Sequence, residues 1–144
     1  MKPNLGHLKR LDYSQEFHPE ILYSAAECLN SLEFFTFNWS YYTSCIDDVM
    51  WCDAVSKLIS NQRHLKAVQL NLDFKPQETN LQKIGSALST QASSLERVNI
   101  SFANSDIYYI FDACTRCTYL YHIELSNCTF RPQFPFVDNI SCIF

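Results

Sequence analysis

The stretch Leu120-Tyr121-His122-Ile123-Glu124-Leu125-Ser126-Asn127-Cys128 decides how this chain folds. Its key apolar places are Leu120, Ile123, Leu125 and Cys128. From Ile123 onward apolar and polar residues alternate, the period of a strand with one buried face. The same opening recurs upstream as Leu8-Lys9-Arg10-Leu11-Asp12-Tyr13, Leu32-Glu33-Phe34-Phe35-Thr36-Phe37, Leu65-Lys66-Ala67-Val68-Gln69-Leu70 and Leu95-Glu96-Arg97-Val98-Asn99-Ile100. The residue before each leading leucine is also alike: His7, Ser31, His64, Ser94 and Tyr119. The leading leucines fall 24, 33, 30 and 25 residues apart. Strands this short bury too little surface alone, whereas stacked copies share one continuous core. Strands are therefore predicted near residues 8–13, 32–37, 65–70, 95–100 and 120–125. Leu8, Leu32, Leu65, Leu95 and Leu120 are expected to form one buried spine.

Helical spacing fills the stretches between the copies. Ile21, Leu22, Ala25, Cys28 and Leu29 repeat at three- and four-residue intervals, which puts them on one face. A second helix is expected over residues 44–60, with Ile46, Val49, Met50, Ala54 and Leu58 inward and Cys45 possible beside them. Ser44, with Asp47 three residues on, suits its start. The adjacent Asp47-Asp48 complements a helix dipole better than it makes an acid–base pair. A third helix, residues 80–90, turns Leu81, Ile84 and Leu88 inward. A fourth, residues 106–117, offers Ile107, Ile110, Phe111, Cys114 and Cys117, with Asp106 as N-cap. Trp51 reads as core. The aromatic side chains of Trp39, Tyr41, Tyr42, Tyr108 and Tyr109 suit burial as well as they suit a surface.

Composition narrows the function classes. The chain has 144 residues, 47% hydrophobic and 15% aromatic, which is too apolar for a disordered segment. Only Gly6 and Gly85 are glycine, so a turn-rich β-sandwich and the glycine-rich loops of nucleotide sites are both disfavoured. Net charge is −4 and the longest basic run is Lys9-Arg10, which lacks the footprint of a nucleic-acid binder. No apolar run approaches the roughly 20 residues that span a bilayer. A cytoplasmic or nuclear protein is expected. Seven irregularly spaced cysteines then read mainly as small buried side chains. The sequons at Asn38, Asn99, Asn127 and Asn139 read as chance in an Asn- and Ser-rich chain.

Cys114-Thr115-Arg116-Cys117, followed by His122 and Cys128, is formally a zinc ligand set. Cys128 and the helix face of Cys114 already have core roles, however, so no metal is assigned. A redox pair needs its first cysteine at a helix N-terminus, and this pair falls late in its helix. No nucleophile signature surrounds any cysteine. His7 and His64 are repeat positions, and His18 precedes Pro19 in a turn. No enzyme activity and no cofactor are expected.

The five copies resemble the leucine-rich repeat, Leu-x-x-Leu-x-Leu-x-x-Asn/Cys with a helix closing each turn. Cys128 resembles the cysteine of such repeats, which points into the core and bonds backbone at the bend. The other copies carry Glu16, Ser40, Asp73 and Ala103 at that place. The irregular lengths and aromatic strands are similar to the arrays of F-box-associated proteins, in a fungal-like style but without the F-box. This resemblance implies an α/β solenoid: a right-handed arc of about five irregular repeats, with short parallel strands on the concave side and helices on the convex side. Residues 1–144 would form one domain, cut from a longer array at both ends.

In a strand of that family the polar places face out of the concave sheet. They are Arg10, Asp12 and Ser14; Phe34, Thr36 and Asn38; Ala67, Gln69 and Asn71; Arg97, Asn99 and Ser101; and His122, Glu124 and Ser126. Side by side they make a mostly neutral, hydrogen-bonding surface with one exposed aromatic, suited to a protein ligand. The resemblance implies the substrate-recognition part of a ubiquitin ligase. An adaptor partner follows only if the parent chain carries an F-box. A stand-alone interaction scaffold is the alternative.

Overall fold

The computed structural model describes residues 5–14, 18–39, 48–73, 75–129 and 141–143. Strands and helices alternate: β1 Arg10–Ser14, α1 Pro19–Cys28, β2 Phe34–Trp39, α2 Asp48–Ser60, β3 Ala67–Leu72, α3 Glu78–Ser89, β4 Arg97–Asp106, α4 Tyr108–Thr115, β5 His122–Thr129 and β6 Ser141–Ile143. The strands form one sheet in the order β1-β2-β3-β4-β5-β6, and every neighbouring pair is parallel. Each strand thus pairs with the strands that precede and follow it in sequence. The chain is α/β, with the helices also packed on their sequence neighbours, α1 on α2, α2 on α3 and α3 on α4. Among the described residues no helix is long and apolar enough to cross a membrane.

One sheet face carries the core. Tyr13, Phe35, Phe37, Val68, Leu70, Leu72, Val98, Ile100, Phe102, Ile123 and Leu125 are buried, together with the inward faces of the four helices. Register stacks Leu11, Phe35, Val68, Val98 and Ile123 in one row and Tyr13, Phe37, Leu70, Ile100 and Leu125 in the next. The opposite face bears the alternate residues, which are exposed or half-buried. Parallel sheets are usually covered on both faces. Among the described residues, this one is covered on one.

Each strand begins two residues after its leading leucine. The reason is a shared backbone device. The carbonyl of Lys9 accepts from the N–H groups of Glu33 and Phe34, that of Glu33 from Lys66 and Ala67, that of Lys66 from Glu96 and Arg97, and that of Glu96 from Tyr121 and His122. The leading leucine lies before that junction and drops into the core. Leu32, Leu65, Leu95 and Leu120 are buried as expected. Leu8 is not: it is 38% exposed, because among the described residues no turn of chain covers the outer side of β1.

Several expectations are corrected. Ile21, Val49 and Met50 are exposed, because α1 and α2 are rotated so that Leu22 and Ala26, and Trp51, Cys52, Val55, Leu58 and Ile59, face in. The size of Trp51 decides the face of α2: its ring meets Tyr13, Phe37 and Trp39 at centroid distances of 5.9, 5.4 and 5.6 Å. Asp106 does not cap α4, since β4 runs through it and Ile107 occupies the cap. A sixth strand, β6, stands where no strand was expected. Tyr108 is exposed, while Trp39 and Tyr109 are partly buried. Residues 40–47, with Tyr41, Tyr42, Ser44, Cys45, Ile46 and Asp47, lie outside the described residues, as does Glu16.

Two glutamines tie successive turns together. Gln62 is 5% exposed; its amide donates to the carbonyls of Leu29 (2.9 Å) and Leu58 (2.8 Å) and accepts from the Leu32 N–H at 3.0 Å. Gln91, 2% exposed, donates to the carbonyls of Ile59 (3.0 Å) and Gln62 (2.9 Å) and accepts from the Leu65 N–H at 3.3 Å. Each bonds backbone groups beside the preceding copy's leading leucine, including that leucine's own N–H, as buried backbone requires.

Candidate functional site: the open sheet face

The open face is organised in rows that cross the strands. Register aligns Arg10, Phe34, Ala67, Arg97 and His122 in the first row. Asp12, Thr36, Gln69, Asn99 and Glu124 form the second, and Ser14, Asn38, Asn71, Ser101 and Ser126 the third. The residues named from sequence as the binding surface thus stand on one face, in neighbouring positions.

Their contacts differ row by row. In the first row the small Ala67 separates Phe34 from Arg97, and the Arg97 guanidinium lies over the Phe34 ring, 5.9 Å from its centroid. Phe34 is consequently half-buried, not the exposed aromatic that alternation suggested. At one end of the face Arg10 Nε donates to Asp12 Oδ2 at 2.8 Å. That hydrogen bond above all holds the Asp12 carboxyl below its ordinary pKa, against the opposing effect of burial and with help from a Thr36 hydrogen bond. Across the other rows Asn99 Nδ2 donates to Glu124 Oε2 at 2.9 Å, and Asn71 Nδ2 to Asn38 Oδ1 at 2.6 Å. Asn127 Nδ2 donates to Ser101 Oγ at 3.3 Å. His122 Nε2 stands 3.9 Å from Glu124 Oε2.

A depression of about 230 Å³ opens in this face. Arg10, Phe34, Thr36, Gln69, Arg97, Asn99 and His122 line it, with Ala67 at its middle and Phe35 and Val68 reached from the core row. Asp12, Asn38, Asn71, Ser101 and Glu124 stand on the same face beyond its rim. The missing bulk at Ala67 is what leaves the space.

A fourth row borders the open face. The second residue of each copy, Lys9, Glu33, Lys66, Glu96 and then Tyr121, runs along the entrance to the strands. Glu33 Oε1 lies 3.2 Å from Lys9 Nζ and Glu33 Oε2 2.9 Å from Lys66 Nζ. Bonds from Lys66 and then Lys9 hold the Glu33 carboxyl below its ordinary pKa. The alternation of sign is visible once the copies are aligned, so the signal was present. Tyr119 and Tyr121 are both well exposed beside it.

The cysteines sit elsewhere. Cys52, Cys114 and Cys117 are buried, and Cys28 and Cys128 half-buried. Burial pushes the Cys52 thiol up to about 12 and the Cys117 thiol to about 11. Cys117 Sγ donates to the Ala113 carbonyl at 3.5 Å. Cys128 follows Asn127, whose φ of 56° is a left-handed conformation that asparagine tolerates. Its thiol meets the Ser126 carbonyl at 3.2 Å and that of Ile100 at 4.0 Å, a backbone contact at the strand end. Among the described residues no group of three or more His, Cys, Asp or Glu side chains is placed to hold a metal ion. Comparisons of the chain with protein-family models, with curated proteins and with solved structures return no match.

Proposed function

We propose that this chain is a non-catalytic protein-binding module, a leucine-rich-repeat solenoid whose open sheet face receives the partner. One observation carries the reading: a parallel sheet in strict sequential order has one face packed with core and the other set with aligned polar side chains around a depression. In a two-faced α/β sheet both sides are covered and strands read as continuous apolar runs. A stack of strand–helix turns covers one side only and leaves the other for a ligand. The repeated backbone junction at Lys9, Glu33, Lys66 and Glu96, and the paired glutamines, give each turn the same link to the last.

The role we assign is substrate recognition for an F-box-type ubiquitin ligase, in the cytoplasm or nucleus, where the cysteines stay thiols. It rests on the resemblance of the repeats. Adaptor binding belongs to an F-box in the parent chain. The test is affinity capture from cell extract with the wild-type chain and with Phe34→Ala/Arg97→Ala, read by mass spectrometry. Partners lost in the variant support a recognition surface on this face. Ligase subunits among them support the ligase role, and their absence favours a scaffold with no ligase link. Identical lists from both proteins would remove Phe34 and Arg97 from the reading.

A further inference from the structure

We infer that the open face takes an extended acidic segment of its partner, with one carboxylate held by Arg97 and the adjoining main-chain amide by Gln69. This rests on the reading of that face as a binding surface and names the ligand chemistry it fits.

The argument is charge accounting on the face and along its entrance. Lys9 and Lys66 share Glu33. Arg10 is paired with Asp12, and Glu124 accepts a hydrogen bond from Asn99. Glu96 acts on Lys66. Arg97 remains. Among the described residues no carboxylate pairs with it, and the ring of Phe34 supports its guanidinium from one side. The guanidinium N–H groups have no hydrogen-bond partner among the described residues, and a guanidinium fork fits a carboxylate with two parallel bonds. A pre-placed fork loses less side-chain freedom on binding than a free one.

Gln69 stands one strand away on the second row, in the lining of the depression. It has no hydrogen-bond partner among the described residues, unlike Asn38, Asn71 and Asn99 around it. A primary amide offers a donor and an acceptor together, which matches one peptide group of an extended chain. Ala67 leaves room for that chain to lie against the sheet, and the flank of the Phe34 ring offers an apolar contact. A cationic or neutral segment would leave Arg97 without a counter-charge as the contact dried, which is costly.

The experiment selects a phage-displayed random-peptide library on the full chain, in wild-type form and as Arg97→Glu, with circular dichroism and melting curves matched first. Peptides from the wild type are expected to place Asp or Glu at one shared position, and those from Arg97→Glu to place Lys or Arg there. A synthetic wild-type peptide should lose about tenfold in affinity when that acid becomes Gln or Asn, and a similar factor on Gln69→Ala. Its binding should weaken as salt rises. Selected peptides with no acid enrichment, whose binding still needs Phe34 and Arg97, would overturn the acidic ligand while leaving the binding face intact. No enrichment over bare support, or binding indifferent to Phe34 and Arg97, would overturn both.

Discussion

Gln91 shows how much a single side chain can hold together here. Its amide satisfies the carbonyls of Ile59 and Gln62 and the N–H of Leu65, all inside the core. Gln91→Ala removes this partner from the Leu65 N–H and the Gln62 carbonyl, while the Ile59 carbonyl keeps the Gln62 N–H, and each buried unpaired group costs on the order of 1–3 kcal/mol. We expect a loss of about 3 kcal/mol in urea unfolding, against less than about 0.5 kcal/mol for the exposed Gln82→Ala. Nothing in the sequence marked Gln91 or Gln62, because glutamine before a strand is also an ordinary surface residue. The face positions were legible by contrast. Alternation within each strand, with the resemblance of the copies to leucine-rich repeats, puts Arg97, Gln69 and Phe34 on one surface. Their contacts were not legible, since the reach of Arg97 over Phe34 depends on the small residue on the strand between them.

At the scale of elements, the decisive quantity is what lies on either side. The leading leucines are equivalent in sequence, yet Leu95 is fully buried and Leu8 is 38% exposed. Leu95→Ala should therefore cost about 2–5 kcal/mol by loss of burial and cavity formation, and Leu8→Ala below about 1 kcal/mol. Paired thermal melts would separate them; equal losses would contradict the spine. The packing of α3 on α4 depends on Gly85, where an added Cβ would come within 2.6 Å of the Tyr109 carbonyl oxygen. A backbone atom cannot step aside as a side chain can. Gly85→Ala should cost about 1–3 kcal/mol, despite alanine's better helix propensity. Helix existence was readable from periodicity, whereas the rotations of α1 and α2 were not. Several apolar residues flank each inward stripe, and the cluster around Trp51 chose among them.

Across the whole molecule, cross-turn ion pairs make stability depend on pH. Glu33 is held below its ordinary value by Lys66 and Lys9, and Asp53 below its own by Tyr23 and Lys83. A depressed carboxyl stabilises the fold fully above its ordinary pKa, 4.5 for Glu33 and 3.8 for Asp53, and that contribution is lost as pH falls through the lowered values. The urea midpoint should thus drop below about pH 4.5, and Glu33→Gln/Asp53→Asn should flatten that drop. An unchanged slope would assign acid lability to other groups. Thiol chemistry gives a second global readout. With their thiols pushed to about 12 and about 11, Cys52 and Cys117 should resist an aromatic disulfide reagent at pH 8 until the chain unfolds.

Sequence by itself determined the alternation of strand and helix, which residues of each strand share a face, and the placing of copies side by side. The first two follow from periods of two and of about three and a half residues, local properties of the chain, and the third from the recurrence of one short motif whose copies must share a core. Only the tertiary structure decided that four leading leucines are buried and the first is not, that a sixth strand joins the sheet, and that Asp106 extends β4. It also decided that the open face holds a depression lined by Arg97, which lies over Phe34, and by Gln69, whose side chain has no hydrogen-bond partner among the described residues. Those outcomes depend on groups 19 or more residues apart meeting across strands, and burial and pairing at such distances are set by the neighbours that arrive, not by the residue that waits.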